Sequence, residues 1–263
     1  MNNSVLDYIY NTQTKKVNRV YKKWYSVHLQ RDMELLVFGH SGKPILFFPT
    51  RTARFYDYEN WGVIEAMESK ILSGEVQVYC IDSVDKESFY CKDIHPAERI
   101  KRHLLFEKYL LEELVPFIRE QNPNPDLISA GCSLGAYHAV NFAFRHPHLF
   151  KKVIAMSGRY DLTMQLEFFD DLFEGYWNEE IYFNMPSQYI LQPCNEAFMK
   201  SLQHLEIILA IGIEDAFLEN NLQLSKILSE KNVHHTLNLL DGEAHKAKYW
   251  GELMKVYLLT RNQ

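Results

Sequence analysis

The sequence lacks the features that mark several kinds of chemistry. Its four cysteines (Cys80, Cys91, Cys132, Cys194) show no CxxC spacing, which argues against a zinc knuckle or a dithiol redox pair. HExxH, Cys/His clusters and DxDxDG loops are absent, so no metal is expected. Neither GxGxxG nor GxxxxGK occurs among the 11 glycines, so no nucleotide cofactor is expected either. The net charge is -6, with no basic block, which speaks against a nucleic-acid partner. No apolar run approaches the ~20 residues that cross a bilayer, so no membrane partner is expected. The stretch MNNSVLDYIYNTQTKK lacks a basic n-region followed by an apolar h-region, and a reduced cytoplasmic setting is expected.

What is present is a large apolar fraction, 47% of 263 residues, enough for a sizeable core. No repeat, low-complexity tract or linker interrupts it, so residues 1–263 read as a single domain. QNPNPD, Gln121 to Asp126, reads as a loop. Two strand-like segments, Val17–Leu29 and Met33–Gly39, open the pattern. They are followed by the buried strand PILFFPT and a helical stretch near Glu59–Leu72. VQVYCID is another strand. Pro96 opens a long helix whose end Pro116 should kink. LISAGC, KKVIAMSG, LEIILAIG and HHTLNLL are further strands, separated by helices over Leu134–His146 and Phe217–Lys231 and followed by one over Lys246–Leu259. Residues 161–202 read as an irregular, aromatic-rich cap. Short, uniformly apolar strands alternating with helices predict an α/β class, a three-layer α/β/α sandwich. Its sheet should be mostly parallel with about eight strands and an antiparallel edge.

One corner carries chemistry. In Gly131-Cys132-Ser133-Leu134-Gly135 a serine sits between a strand and a helix, the G-x-S-x-G pattern of a nucleophile elbow. The glycines leave room where backbone passes close, and the turn lifts the hydroxyl clear of the sheet. The helix N-terminus favours developing negative charge. The other reading is a tight turn with an incidental serine.

A reactive serine needs a base, and the base an orienting acid. In this architecture both arrive on loops after later strands, acid before histidine. Asp215 follows LEIILAIG, with Glu214 its close competitor, and Asp161 after KKVIAMSGRY is the alternative acid. His245 follows the Asp241-Gly242 turn beyond the last strand. Surface or packing roles are expected for His28, His95, His103, His138, His146, His234 and His235.

The segments GCSLGAYHAVNFAFRHPHLF, MSGRYDL, YFNMPSQY, IEDAFLENNLQLSKIL and LLDGEAHKAKYW resemble the esterase-D-like branch of the α/β-hydrolases. That branch is similar to enterochelin esterases and antigen 85 acyltransferases. The resemblance runs from about Pro44 to Trp250. It implies an α/β-hydrolase fold with Ser133 as nucleophile, Asp215 as acid and His245 as base. It also implies an oxyanion hole from the amides of Leu134 and of Arg51, in the loop after PILFFPT. Two departures stand out. Relatives often carry glycines in that loop, where this chain has Thr50-Arg51-Thr52-Ala53-Arg54. They also often have Asp-Trp after the histidine, where this chain has Lys246-Ala247.

The expected function is hydrolysis of a small-molecule carboxylic ester through an acyl-enzyme. Two other readings stay open: acyl transfer at the same site, and a hydrolase-like binding or scaffold protein. Phe55, Tyr56, Tyr58, Tyr137, Trp177, Tyr182 and Phe183 could line an apolar substrate cleft or be plain packing. Arg51 and Arg54 could attract a substrate anion or be solvated. The aromatic cap could also bury a homo-oligomer interface.

Overall fold

The computed structural model describes residues 16–192 and 195–259. Cys194 and nearly all of the amino-terminal stretch read above lie outside the described residues. Eight strands form one sheet: β1 (Arg19–Ser26), β2 (Arg31–Phe38), β3 (Lys43–Phe48), β4 (Val76–Ile81), β5 (Ile128–Cys132), β6 (Lys152–Met156), β7 (Glu206–Gly212) and β8 (His235–Leu240). Their spatial order is β1-β2-β4-β3-β5-β6-β7-β8. β1 pairs antiparallel with β2 and β2 with β4; every other pairing is parallel. The chain runs from β3 to β4 on one side and then crosses to β5 on the other. The carboxyl ends of β3 and β5 therefore flank a topological switch point, where open α/β sheets bind ligands.

β4, β5 and β6 are buried along their whole length because helices cover both faces. On one face lie α1 (Asp57–Asn60), α2 (Val63–Ala66) and α3 (Glu68–Leu72), together with the last helix, Ala247–Tyr257; they contribute Tyr58, Val63, Ile71, Trp250 and Met254 to the core. On the other lie α4 (Pro96–Tyr109), α5 (Val115–Gln121), α6 (Leu134–Arg145) and a later helix, Leu218–Glu230, with Phe106, Ile118, Val140 and Leu224 inward. Alternate residues of β3 serve the two cores, Leu46 and Phe48 one, Ile45 and Phe47 the other.

Three expectations change in detail. The helix expected near Glu59–Leu72 is three short helices, broken where Gly62 takes φ +74°. The long helix is not simply kinked by Pro116: a π-turn over Leu110–Leu114 joins α4 to α5, and Pro116 lies in the first turn of α5. Proline has no N–H to continue the i to i-4 ladder, and the wider turn absorbs the loss. Residues 161–202, expected to be irregular, contain α7 (Glu179–Tyr182), α8 (Pro186–Tyr189) and most of α9 (Glu196–Gln203); α10 (Leu218–Glu230) and α11 (Ala247–Tyr257) follow.

Candidate active site

Ser133 sits at the end of β5 as the residue before α6, with φ 56° and ψ -121°. Positive φ costs a non-glycine residue of order 1–2 kcal/mol, so its surroundings must hold it. Its amide donates to the Met156 carbonyl at 2.8 Å, tying the corner to β6. A Cβ at Gly131 would stand 2.0 Å from the Gly135 carbonyl oxygen, and one at Gly135 would stand 2.4 Å from Phe48 O and 2.6 Å from Pro49 O. Both glycines are thus required by close backbone approach. The Tyr58 hydroxyl donates to Phe48 O at 2.8 Å and accepts from the Cys132 amide at 3.2 Å, pinning the ends of β3 and β5 together behind the serine. Leu134 opens α6, so its amide has no intrahelical acceptor.

Asp215 and His245 come from the loops after β7 and β8. These loops are joined by backbone bonds from Ile213 N to Leu240 O (2.9 Å) and Glu214 N to Gly242 O (3.0 Å). Gly212 lets them cross: a Cβ there would lie 2.2 Å from the Glu243 carbonyl. The outcome is an Asp215 Oδ2 to His245 Nδ1 contact of 2.9 Å, with the Asp215 side chain only 2% exposed and the imidazole 21%. Asp215 Oδ1 accepts from the Phe217 amide at 3.0 Å, which fixes the carboxylate's direction. Glu214 points to solvent. The Asp161 carboxylate accepts from the Thr163 amide (2.9 Å) and hydroxyl (2.6 Å), so it holds its own turn rather than His245.

Ser133, Leu134 and His245 line one cleft of about 490 Å³, together with Arg51, Tyr90, Arg159 and the rings of Trp61, Phe169, Phe217 and Trp250. It opens beside the carboxyl ends of β3 and β5. The loop after β3 manages without glycine by placing Thr52 at φ +54°.

The substrate-lining expectations need correction. Phe55, Tyr56, Tyr137 and Trp177 do not line this cleft. Tyr137 is fully buried, and its hydroxyl donates to Asn184 O at 2.9 Å; at that point of α6 the side chain faces the core under residues 162–185. Phe55 is buried beneath Tyr21 and Tyr56. Trp177 packs on Tyr182 at the surface. Tyr58 is core, Tyr182 is half-buried away from the cleft, and Phe183 lines a separate groove. Arg54 is occupied by Asp82 (2.9 Å) and Glu34 (2.6 Å), which leaves Arg51 at the mouth.

Arg159, Tyr90, Trp61, Phe169, Phe217 and Trp250 were missed. Arg159 carried a usable signal: it lies just beyond the carboxyl end of the strand next to the serine's own. The five aromatic residues carried none, because they reach the cleft from five separate segments. Away from the cleft, His138 Nε2 meets Asp85 Oδ1 at 2.9 Å, both buried. Burial, helped by His138, pushes the neighbouring His103 down to about 3.

Residues 56–257 match the family described as "Putative esterase", and the chain belongs to that family. No curated protein matches. Among solved structures, a ferulic acid esterase is 16% identical with a TM-score of 0.69, covering 92% of this chain and 97% of its own. An S-formylglutathione hydrolase from Agrobacterium tumefaciens is 14% identical with a TM-score of 0.71, covering 93% and 96%. Another from Staphylococcus aureus is 16% identical with a TM-score of 0.66, covering 92% and 98%. These likenesses carry the α/β-hydrolase fold. The chain is an esterase-family hydrolase. No helix among the described residues is long and apolar enough to cross a membrane.

Proposed function

We propose that the chain cleaves a small-molecule carboxylic ester through an acyl-enzyme on Ser133, with His245 as general base and Asp215 as its orienting acid. The observation that carries this reading is the 2.9 Å contact between His245 Nδ1 and the buried Asp215 carboxylate, at a cleft that Ser133 also lines. With Nδ1 engaged, Nε2 is the nitrogen left to serve Ser133.

The steps follow from that arrangement. His245 Nε2 takes the Ser133 hydroxyl proton as Oγ bonds to the ester carbonyl carbon. The oxyanion is met by the Leu134 amide, aided by the positive end of α6, and by the Arg51 amide. Asp215 stabilises the imidazolium, which then hands its proton to the departing alkoxide as the C–O bond breaks. A water repeats the sequence on the acyl-enzyme: His245 takes its proton, the acid leaves, and Ser133 recovers its hydrogen. Substrate, protein and proton count all balance without a further reagent. The cytoplasm is the proposed location.

The test is Ser133→Ala, assayed with p-nitrophenyl acetate and with a fluorophosphonate probe. Turnover should fall by about a million-fold and labelling should vanish while the circular dichroism spectrum is kept. Retained turnover or labelling removes Ser133 from the nucleophile's role.

A further inference from the structure

Resting on the triad reading above, we infer that the ester carries a carboxylate, bound in the cleft by the guanidinium of Arg159 together with Arg51 and Tyr90. Arg159 is only 3% exposed, and a charge withdrawn that far from water needs compensation. The other buried arginine, Arg99, obtains it from Glu174, and the partly buried Arg102 and Arg145 obtain it from Glu87 and Glu107. Arg159 has no ion pair among the described residues. Its Nε and Nη2 donate only to main-chain carbonyls, those of Asp161 (3.3 Å), Leu162 (3.2 Å), Met164 (2.6 Å) and Asp170 (2.6 Å). Nη1 makes none of these bonds. Asp161, Asp171 and Asp170 favour its charge from a distance, but none of them bonds it: Asp161 holds Thr163, Asp170 holds Lys92, and Asp171 holds the Phe173 and Gly175 amides. Burial accordingly lowers the pKa of Arg159.

This under-compensated cation is the one that lines the cleft with Ser133. It does not stand alone. The Arg51 guanidinium lies 5.8 Å from the centroid of the Tyr90 ring. Burial and Asp85 raise the Tyr90 pKa, while the positive charges of Arg159 and Arg51 oppose them, which places the phenol in the field of both. Among the described residues Asp57 is the one carboxylate lining the cleft, and its Oδ2 already accepts from the Arg54 amide at 2.8 Å. Arg159 also lies 5.9 Å from the centroid of Phe217, which follows the acid's loop, so an anion bound there stays close to the reacting centre. Two guanidiniums and a phenol offer planar, charge-assisted N–H donors and an O–H donor, which suit a carboxylate.

The test uses two ligands alike except in charge, monomethyl glutarate and dimethyl glutarate. They are titrated into Ser133→Ala while following the fluorescence of Trp61 and Trp250, which line the cleft. The monoanion should bind on the order of 10-fold more tightly than the neutral diester. Arg159→Met should erase the difference, Arg51→Gln should reduce it severalfold, and Arg54→Met should leave it. Equal binding of the two ligands to Ser133→Ala overturns the inference. So does a preference that survives Arg51→Gln undiminished, a variant of an exposed side chain that keeps the question answerable if Arg159→Met does not fold. Failure of the triad reading would appear elsewhere, as turnover of p-nitrophenyl acetate by Ser133→Ala.

Discussion

Alanine at Gly135 sets two effects of opposite sign against each other. Gly135 lies in the first turn of α6, where helix propensity alone favours alanine by about 1 kcal/mol. The new Cβ, however, would stand 2.4 Å from Phe48 O and 2.6 Å from Pro49 O, both backbone atoms that no rotamer can move. Overpacking of this kind costs roughly 1–3 kcal/mol or more, and two clashes from adjacent carbonyls belong at the upper end. The net expectation is a loss of about 2 kcal/mol, a fall in Tm of roughly 4–8 °C for a chain of this size. The same displacement pushes the Phe48-Pro49 backbone, and with it the loop carrying Arg51, away from the serine. If Arg51 supplies an oxyanion donor, kcat should fall on the order of 100-fold. Gly175, at φ +79° with open space around it, is the control: alanine there should cost about 1 kcal/mol and leave kcat alone. Thermal denaturation followed by circular dichroism, with turnover of p-nitrophenyl acetate, reads both effects. A Gly135→Ala protein as stable and as active as the parent would refute the close-approach argument.

Asp215→Asn should keep the fold but lower kcat on the order of 10⁴-fold, because an amide can hold the imidazole in the wrong tautomer; a loss under tenfold would remove Asp215 from the orienting role. His103, held near 3 by burial, makes stability depend on acid. Its folded pKa lies below the usual 6.5, so the unfolded chain binds the proton first. Its contribution is whole above pH 6.5 and falls by roughly 1.4 kcal/mol per unit as pH drops towards 3. His103→Gln should flatten that part of the Tm-against-pH curve, and an unchanged slope would count against a neutral buried His103. Arg54→Met strands the Asp82 carboxylate, whose side chain is 2% exposed, and should cost about 2 kcal/mol by urea denaturation, less than a fully buried pair because Arg54 is itself 39% exposed.

The parallel strands were legible because burial on both faces leaves a continuous apolar run, as in β3 and β6, which needs no knowledge of neighbours. The contact between Asp215 and His245 was legible for a related reason: strand ends set where loops emerge, and chain order limits which loops can meet. Side-chain direction was not legible. Tyr137 and Trp177 look like cleft aromatics as letters, yet one turns into the core and the other out to solvent. Arg54 and Arg159 look alike in the same way. What separates them is Glu34 and Asp82 beside the first, and only carbonyl dipoles beside the second.

The amino-acid order by itself therefore determined the strands of the sheet, the helices over Leu134–Arg145 and Leu218–Glu230 and the corner carrying Ser133, since each depends on local periodicity and on glycines at fixed offsets. The tertiary structure alone decided which cations are neutralised, which aromatic rings line the cleft beside Ser133, and that Gly212 lets one loop cross another. Those outcomes depend on distances between segments far apart in the chain, and local patterning carries no record of them.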